Sequence, residues 1–128
     1  MKTRADLIYA EECYKIMGVV FNVFKDLGFG HKESFFQKAL AKSFQDKGFE
    51  VKEQIKCKLS YKGVDLGFYI MDFLLFDKII LEIKQKKFIS SKDIDQLYKY
   101  LKTTNLKLGI IITFTSDGVR YKRVVNLR

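Results

Sequence analysis

Residues 72–84 read Asp72-Phe73-Leu74-Leu75-Phe76-Asp77-Lys78-Ile79-Ile80-Leu81-Glu82-Ile83-Lys84, two apolar runs about a short polar break, with an acid toward the outer end of each. Such runs, bounded by turn residues, predict two strands of a hairpin over 66–75 and 79–84. The second run is apolar at consecutive positions, as in a central strand covered on both sides. Glu82 and Lys84 stand two apart, so a strand presents both on one face. The loop decides whether Asp72 joins them. Three residues, Phe76, Asp77 and Lys78, form a common hairpin loop and set Asp72 opposite Glu82. A two-residue loop of Asp77 and Lys78 sends the acids to opposite faces unless a bulge restores the match.

Upstream, Val51, Glu53, Ile55, Cys57 and Leu59 alternate with Lys52, Gln54, Lys56 and Lys58, predicting a half-buried strand over 49–61 and a turn at Lys62 and Gly63. Before it the period is helical. Cys13, Met17, Val20, Phe24 and Leu27 stripe a helix over 5–27, and Phe36, Leu40 and Phe44 stripe a second over 31–47, with Gly28, Gly30 and Gly48 as breaks. Glu33 falls in the first turn of the second helix and rides its apolar side. Two readings stand: an acid favoured by the helix N-terminus, or a carboxylate aimed at the sheet. Downstream, Ser90 and Asp93 have capping-box spacing before the stripe Ile94, Leu97, Tyr98 and Leu101, which ends near residues 104–105. A buried strand over 107–114, a turn at Ser116, Asp117 and Gly118, and an edge strand over 119–127 complete the chain.

The chain has 128 residues, 48% of them apolar, enough for one domain over residues 1–128 with its own core and too apolar for a disordered polymer. Twenty-four Lys and Arg against 15 Asp and Glu leave +9, a surplus that favours a polyanion, foremost nucleic acid. Cys13 and Cys57 form no CxxC pair and the single His31 completes no zinc set, so both thiols are expected free and buried, and His31 capping or on the surface. The start of the chain lacks a signal-peptide pattern and no apolar run is long enough to span a bilayer; the expectation is a cytoplasmic protein with no membrane partner. No phosphate-binding glycine loop and no GxSxG elbow is present. Without proline, turns fall to Gly, Asn, Asp and Ser. The phenylalanines at 21, 24, 35, 36, 44, 73, 76 and 114 are expected in the core, while Tyr61 and Tyr69 stay open between core and surface.

Glu33, Asp72 and Glu82 facing Lys84 suit a hard cation, Mg²⁺ or Mn²⁺, held jointly with water and phosphate, and hence phosphodiester hydrolysis. Asp72, nine further residues, then Glu82-Ile83-Lys84, on a hairpin followed by a helix and a strand, resembles the core signature of the PD-(D/E)XK nuclease superfamily. More narrowly, Gly30-His31-Lys32-Glu33-Ser34-Phe35-Phe36, the Tyr61-Lys62-Gly63 turn, Gly67, Gln96-Leu97-Tyr98-Lys99-Tyr100-Leu101, Lys107-Leu108-Gly109 and Lys122-Arg123 resemble the GxxExxY protein family within it, across residues 14–126.

The resemblance implies an α/β, restriction-endonuclease-like fold with an αβββαβ core, a mixed central sheet flanked by helices, and here an extra N-terminal helix. It also implies metal coordination by Asp72 and Glu82, catalytic support from Lys84, and a helix acid at Glu33. Gln96 and Tyr100 match the helix motif and, four apart, share a flank toward metal or substrate. The motif's tyrosine is Phe36 here and the residue before Asp72 is Met71 rather than proline; neither change removes a ligand. Lys86 and Lys87, just past the catalytic strand, are placed either to meet phosphates or simply as a solvated strand exit. Lys122 and Arg123 either contact nucleic acid or blunt a sheet edge. The function expected is a metal-dependent nuclease acting on DNA, alone, as a homodimer or with an unidentified protein partner. The competing readings are a non-catalytic nucleic-acid-binding module and a small interaction subunit on the same fold.

Overall fold

A computed structural model describes residues 8–127. Its elements follow in the order α1 (Ala10–Leu27), α2 (Glu33–Asp46), β1 (Val51–Tyr61), β2 (Val64–Leu75), β3 (Ile79–Ile83), α3 (Ser91–Thr104), β4 (Leu108–Thr115) and β5 (Gly118–Val125). The strands form one five-stranded sheet in sequential order, parallel between β3 and β4 and antiparallel elsewhere. This is the expected mixed sheet, and β3 is its centre, buried at all of its positions. Of the helix predicted over 5–27, residues 5–7 lie outside the described residues.

Helices α1 and α2 cover one face through Ile16, Val20, Leu40 and Phe44 against Phe73, Leu75, Ile79 and Leu81. Helix α3 covers the other through Leu97, Tyr100 and Leu101 against Ile80 and Ile111. Two expected core positions are corrected: Phe21 and Phe35 are exposed, because the buried stripe of α1 runs through Ile16, Val19 and Val23 and that of α2 through Phe36 and Leu40. Leu27, placed on the stripe of the first helix, is also exposed for the same reason. Both cysteines are free and buried. The capping box forms, with the Asp93 N–H donating to Ser90 Oγ at 3.2 Å and the Ser90 N–H to Asp93 Oδ2 at 3.0 Å.

Helix α3 lies close on β4 because residue 109 has no side chain. A Cβ there would stand 2.7 Å from Leu97 Cδ2 and 2.9 Å from Leu97 Cγ, inside contact distance of a buried leucine. Gly109→Val is therefore expected to cost about 2–3 kcal/mol through overpacking. Urea unfolding checks this: the midpoint falls at constant slope, and an unchanged midpoint contradicts the packing.

The strict alternation read along the first strand breaks at one point. Val51 on β1 and Phe73 on β2 pack toward α1 and α2, whereas Ile55, Cys57 and Met71 pack toward α3. Both strands change face between these pairs, at Gln54, whose φ is 49°, and Asp72. Beyond it β1 and β2 continue as a two-stranded ribbon that closes at Lys62 and Gly63, both with positive φ.

Candidate active site

The β2–β3 hairpin sets the site. Leu75 pairs with Ile79, Leu74 with Ile80 and Phe73 with Leu81, the register of the three-residue loop. Phe76 and Asp77 take φ of 56° and 59°, and the Lys78 N–H closes the turn on the Leu75 carbonyl at 3.1 Å. A phenylalanine at positive φ is costly, and this departs from the expectation that only small polar residues make the turns. Its N–H donates to the Glu50 carbonyl at 2.9 Å and its ring packs 4.9 Å from that of Phe49, contacts that hold the conformation.

One pair further along, side chains replace the ladder. The Asp72 N–H donates to Glu82 Oε1 at 3.2 Å, and the Ile83 N–H donates to Asp72 Oδ2 at 2.7 Å. The two carboxylates are thus cross-tied where the strands part. Gln54 Nε2 reaches Asp72 Oδ1 at 3.5 Å, and Gln37 Nε2 on α2 donates to the Asp72 carbonyl at 3.2 Å. Sequence reasoning missed both glutamines; the signal for Gln37 was its position one helical turn after Glu33.

Burial makes these acids reluctant to ionise. Glu82 is only 6% exposed, and burial, then the Asp72 charge, push its carboxyl up to about 8. Asp72 is raised as well, by burial, against the opposing bonds from the Ile83 N–H and Gln54 and the attraction of Lys84. Burial also raises Glu33, with the Asp72 charge adding and Lys84 opposing. The first turn of α2 thus sits within the field of the strand acids. Tyr100 on α3, pushed up to about 12 by burial and then Glu82, is a neutral phenol at ordinary pH. The Lys84 ammonium acts on all three acids, yet makes no ion pair within 4 Å among the described residues.

A profile of the PD-(D/E)XK nuclease superfamily matches residues 10–124. The chain belongs to this superfamily. Among solved structures, its PD-(D/E)XK fold is similar to the crystal structure of SSO0001, with a TM-score of 0.58 and 15% identity over 96% of this chain and 60% of that one. It is also matched by an alkaline exonuclease, LHK-Exo, from Laribacter hongkongensis, with a TM-score of 0.48 and 16% identity over 67% of this chain and 52% of that one. The complex of LHK-Exo with dAMP gives 0.49 and 14% over 67% and 51%. This chain spans about 60% of the length of the first of these structures. Curated protein sequences return no match.

Nucleases of the PD-(D/E)XK superfamily generally use divalent metal ions, and the donor set here fits one. Two cross-tied carboxylates, one retaining a proton up to about pH 8, leave negative charge that a hard dication relieves. Among the described residues no three Asp, Glu, His or Cys side chains assemble as a closed ligand group. Of the expected Glu33, Asp72 and Glu82, the last two are tied by hydrogen bonds, while Glu33 acts on them through charge.

Past the C-terminal ends of β3 and β4 lies an open cleft of about 330 Å³ lined by Phe29, His31, Phe36, Lys84, Lys87 and Phe114; Lys84 is common to the cleft and the acid site, but neither Asp72 nor Glu82 lines the cleft. Open α/β sheets place ligands at such ends. Phe36, in place of the motif's tyrosine, is buried with its ring centroid 4.4 Å from that of Phe114. His31 has the capping role expected, its Nε2 lying 2.9 Å from the Leu27 carbonyl at the end of α1. Gln85 Nε2 donates to the His31 carbonyl at 3.0 Å, which fastens the start of α2, and Glu33 with it, beside Lys84.

The remaining sequence-predicted positions divide. Gln96 is half-buried beside Tyr69 on the flank of α3 and makes no hydrogen bond to the acid pair. Lys86 Nζ lies 2.6 Å from Asp93 Oδ2, beside the cap of α3. Lys87 is exposed, with its ammonium over the Phe88 ring. Lys122 is exposed on β5, whereas Arg123 turns inward and donates to the Ile8 carbonyl. Among the described residues no helix is long and apolar enough to cross a membrane.

Proposed function

We propose that the chain is a metal-dependent nuclease that hydrolyses phosphodiester bonds in DNA, with Mg²⁺ or Mn²⁺ held by Asp72 and Glu82 and with Glu33 acting from the edge of that pair. The observation that carries this reading is the cross-tied pair of carboxylates, Glu82 buried, beside a lysine that makes no ion pair among the described residues. When bound, the dication supplies charge neutralisation for the pair and Lewis acidity toward a phosphodiester.

The chain's own residues do the rest. Gln54, Gln37 and the Ile83 N–H hold Asp72 in one orientation, so that no reorganisation is needed as charge develops. Lys84, attracted by three acids but locked to none, is placed to hold the attacking water and to meet the developing phosphoryl charge. Tyr100, neutral to about pH 12, contributes only as a hydrogen-bond donor or packing surface, and Gln96 is a positioning residue at most. The narrower GxxExxY assignment, a single domain over residues 1–128, a cytoplasmic location and a homodimer or protein partner belong to this reading, supported by the motif order, the charge of +9 and the absence of a spanning helix among the described residues.

The test is calorimetric titration with Mn²⁺ beside a cleavage assay on single- and double-stranded DNA. Wild type binds and cleaves, chelation stops cleavage, and Asp72→Asn loses both at unchanged fold. Undiminished Mn²⁺ binding by Asp72→Asn rejects the site.

A further inference from the structure

The ribbon formed by β1 and β2 beyond the face switch has one side packed on α3 through Ile55, Cys57 and Tyr69. Its other side is left uncovered by the described residues. There Lys56 pairs with Ile70 and Lys58 with Phe68, and directly opposed residues share a face. Phe68 is 51% and Ile70 46% exposed, and the Lys56 ammonium sits 4.8 Å over the Phe68 ring. The same combination recurs at the tip, where Lys62 lies 5.3 Å from the exposed Tyr61 ring. The ribbon joins the rest of the sheet at the acid pair: Ile70 is two residues from Asp72 along β2, where the strand changes face.

We propose that this ribbon face is a docking arm for single-stranded nucleic acid, leading an unpaired strand to Asp72 and Glu82. Aromatic rings under lysine ammonium groups match what a single strand offers, an apolar base face beside each phosphate. A duplex keeps its base faces stacked inside and offers only edges, sugars and phosphates, so no base face is free to lie on Phe68 and Ile70. A second copy of the chain is disfavoured by charge. A two-fold interface through this face sets like against like and gathers Lys56 and Lys58 of both copies. The proposal rests on the nuclease reading above, and its test separates the two.

Binding of fluorescein-labelled oligo(dT) and of a blunt duplex is measured by anisotropy in chelator, where no cleavage occurs. The double variant Phe68→Ala with Ile70→Ala, both exposed positions, is expected to bind oligo(dT) at least tenfold more weakly while its duplex affinity changes less than twofold. Lys56→Ala with Lys58→Ala is expected to flatten the salt dependence of oligo(dT) binding by about 0.7 in log–log slope per lysine. Hydrolysis of bis(p-nitrophenyl) phosphate with Mn²⁺, which needs no arm, stays at the wild-type rate in the Phe68–Ile70 variant. Wild-type oligo(dT) affinity in that variant overturns the arm and leaves the nuclease reading standing. Lost oligo(dT) binding together with no diester hydrolysis by wild type supports the arm and rejects the catalytic reading. A concentration-dependent dimer in sedimentation equilibrium that the variant dissolves assigns the face to a second copy and overturns the arm.

Discussion

Glu82→Gln is expected to raise the melting temperature at pH 9 by on the order of 10 °C while abolishing cleavage. The folded-state carboxyl titrates at about 8 against an ordinary value of 4.5, so the folded chain holds a proton that the unfolded chain releases. Stability from this group is complete below about pH 4.5 and is lost as pH rises through 8. Glutamine keeps the Oε1 that accepts the Asp72 N–H and removes the buried charge, a difference on the order of 3 kcal/mol above pH 8 and little at pH 5. Mn²⁺ is expected to restore alkaline stability to wild type and not to the variant, because the dication takes the place of the proton. Melting curves of both proteins from pH 5 to 9, with and without Mn²⁺, decide it. Parallel pH profiles for the two proteins reject a buried, proton-retaining Glu82. A residue whose removal stabilises the fold while ending activity is one the fold keeps for chemistry.

Lys84→Ala is expected to lower the cleavage rate at saturating metal by about 10³-fold, the scale of losing a preorganised charge at the reacting centre. Lys84 is half-exposed, and its N–H donates to the Ile112 carbonyl at 2.9 Å, a backbone bond that survives truncation. The melting temperature should therefore hold near neutral pH and fall at alkaline pH, since losing a positive neighbour raises Glu82 and Asp72 further and adds to the cost of ionising them in the folded chain. Lys84→Arg keeps the charge on a broader head and is expected to recover part of the rate. Single-turnover cleavage of a labelled strand gives the comparison, with circular dichroism reporting the fold. A Lys84→Ala protein that cleaves at the wild-type rate removes lysine from the mechanism.

Both predictions depend on geometry that was partly legible in the chain. The hairpin register was one such element: its turn length alone sets Asp72 beside Glu82, and the pairing of Leu75 with Ile79 follows it. The apolar run through Ile79, Ile80 and Leu81 likewise pointed to a doubly covered centre. What the residues did not announce was how the acids are tied. The bonds from the Ile83 and Asp72 N–H groups arise because two strands separate, and separation leaves no mark in composition.

Two phenylalanines were misread for a related reason. Phe21 and Phe35 count as core by residue type, but their helices turn different faces to the sheet. Lys86 and Arg123 look alike as surface cations in a basic chain. One lies against Asp93 beside a helix cap and the other donates to the Ile8 carbonyl, partners that only packing supplies.

Local order came from the amino acids themselves: where helical period gives way to strand period, where Ser90 starts a helix, and how one hairpin is registered, since each depends on neighbours within a few residues. The folded arrangement alone decided that Gln54 and Asp72 reverse the faces of β1 and β2, that Glu82 keeps its proton, and that Lys56 and Lys58 line up beside Phe68 and Ile70 on an uncovered ribbon. A backbone reversal at a non-glycine residue and the burial of a charge are set by distant contacts, and alternation along a strand carries no record of either.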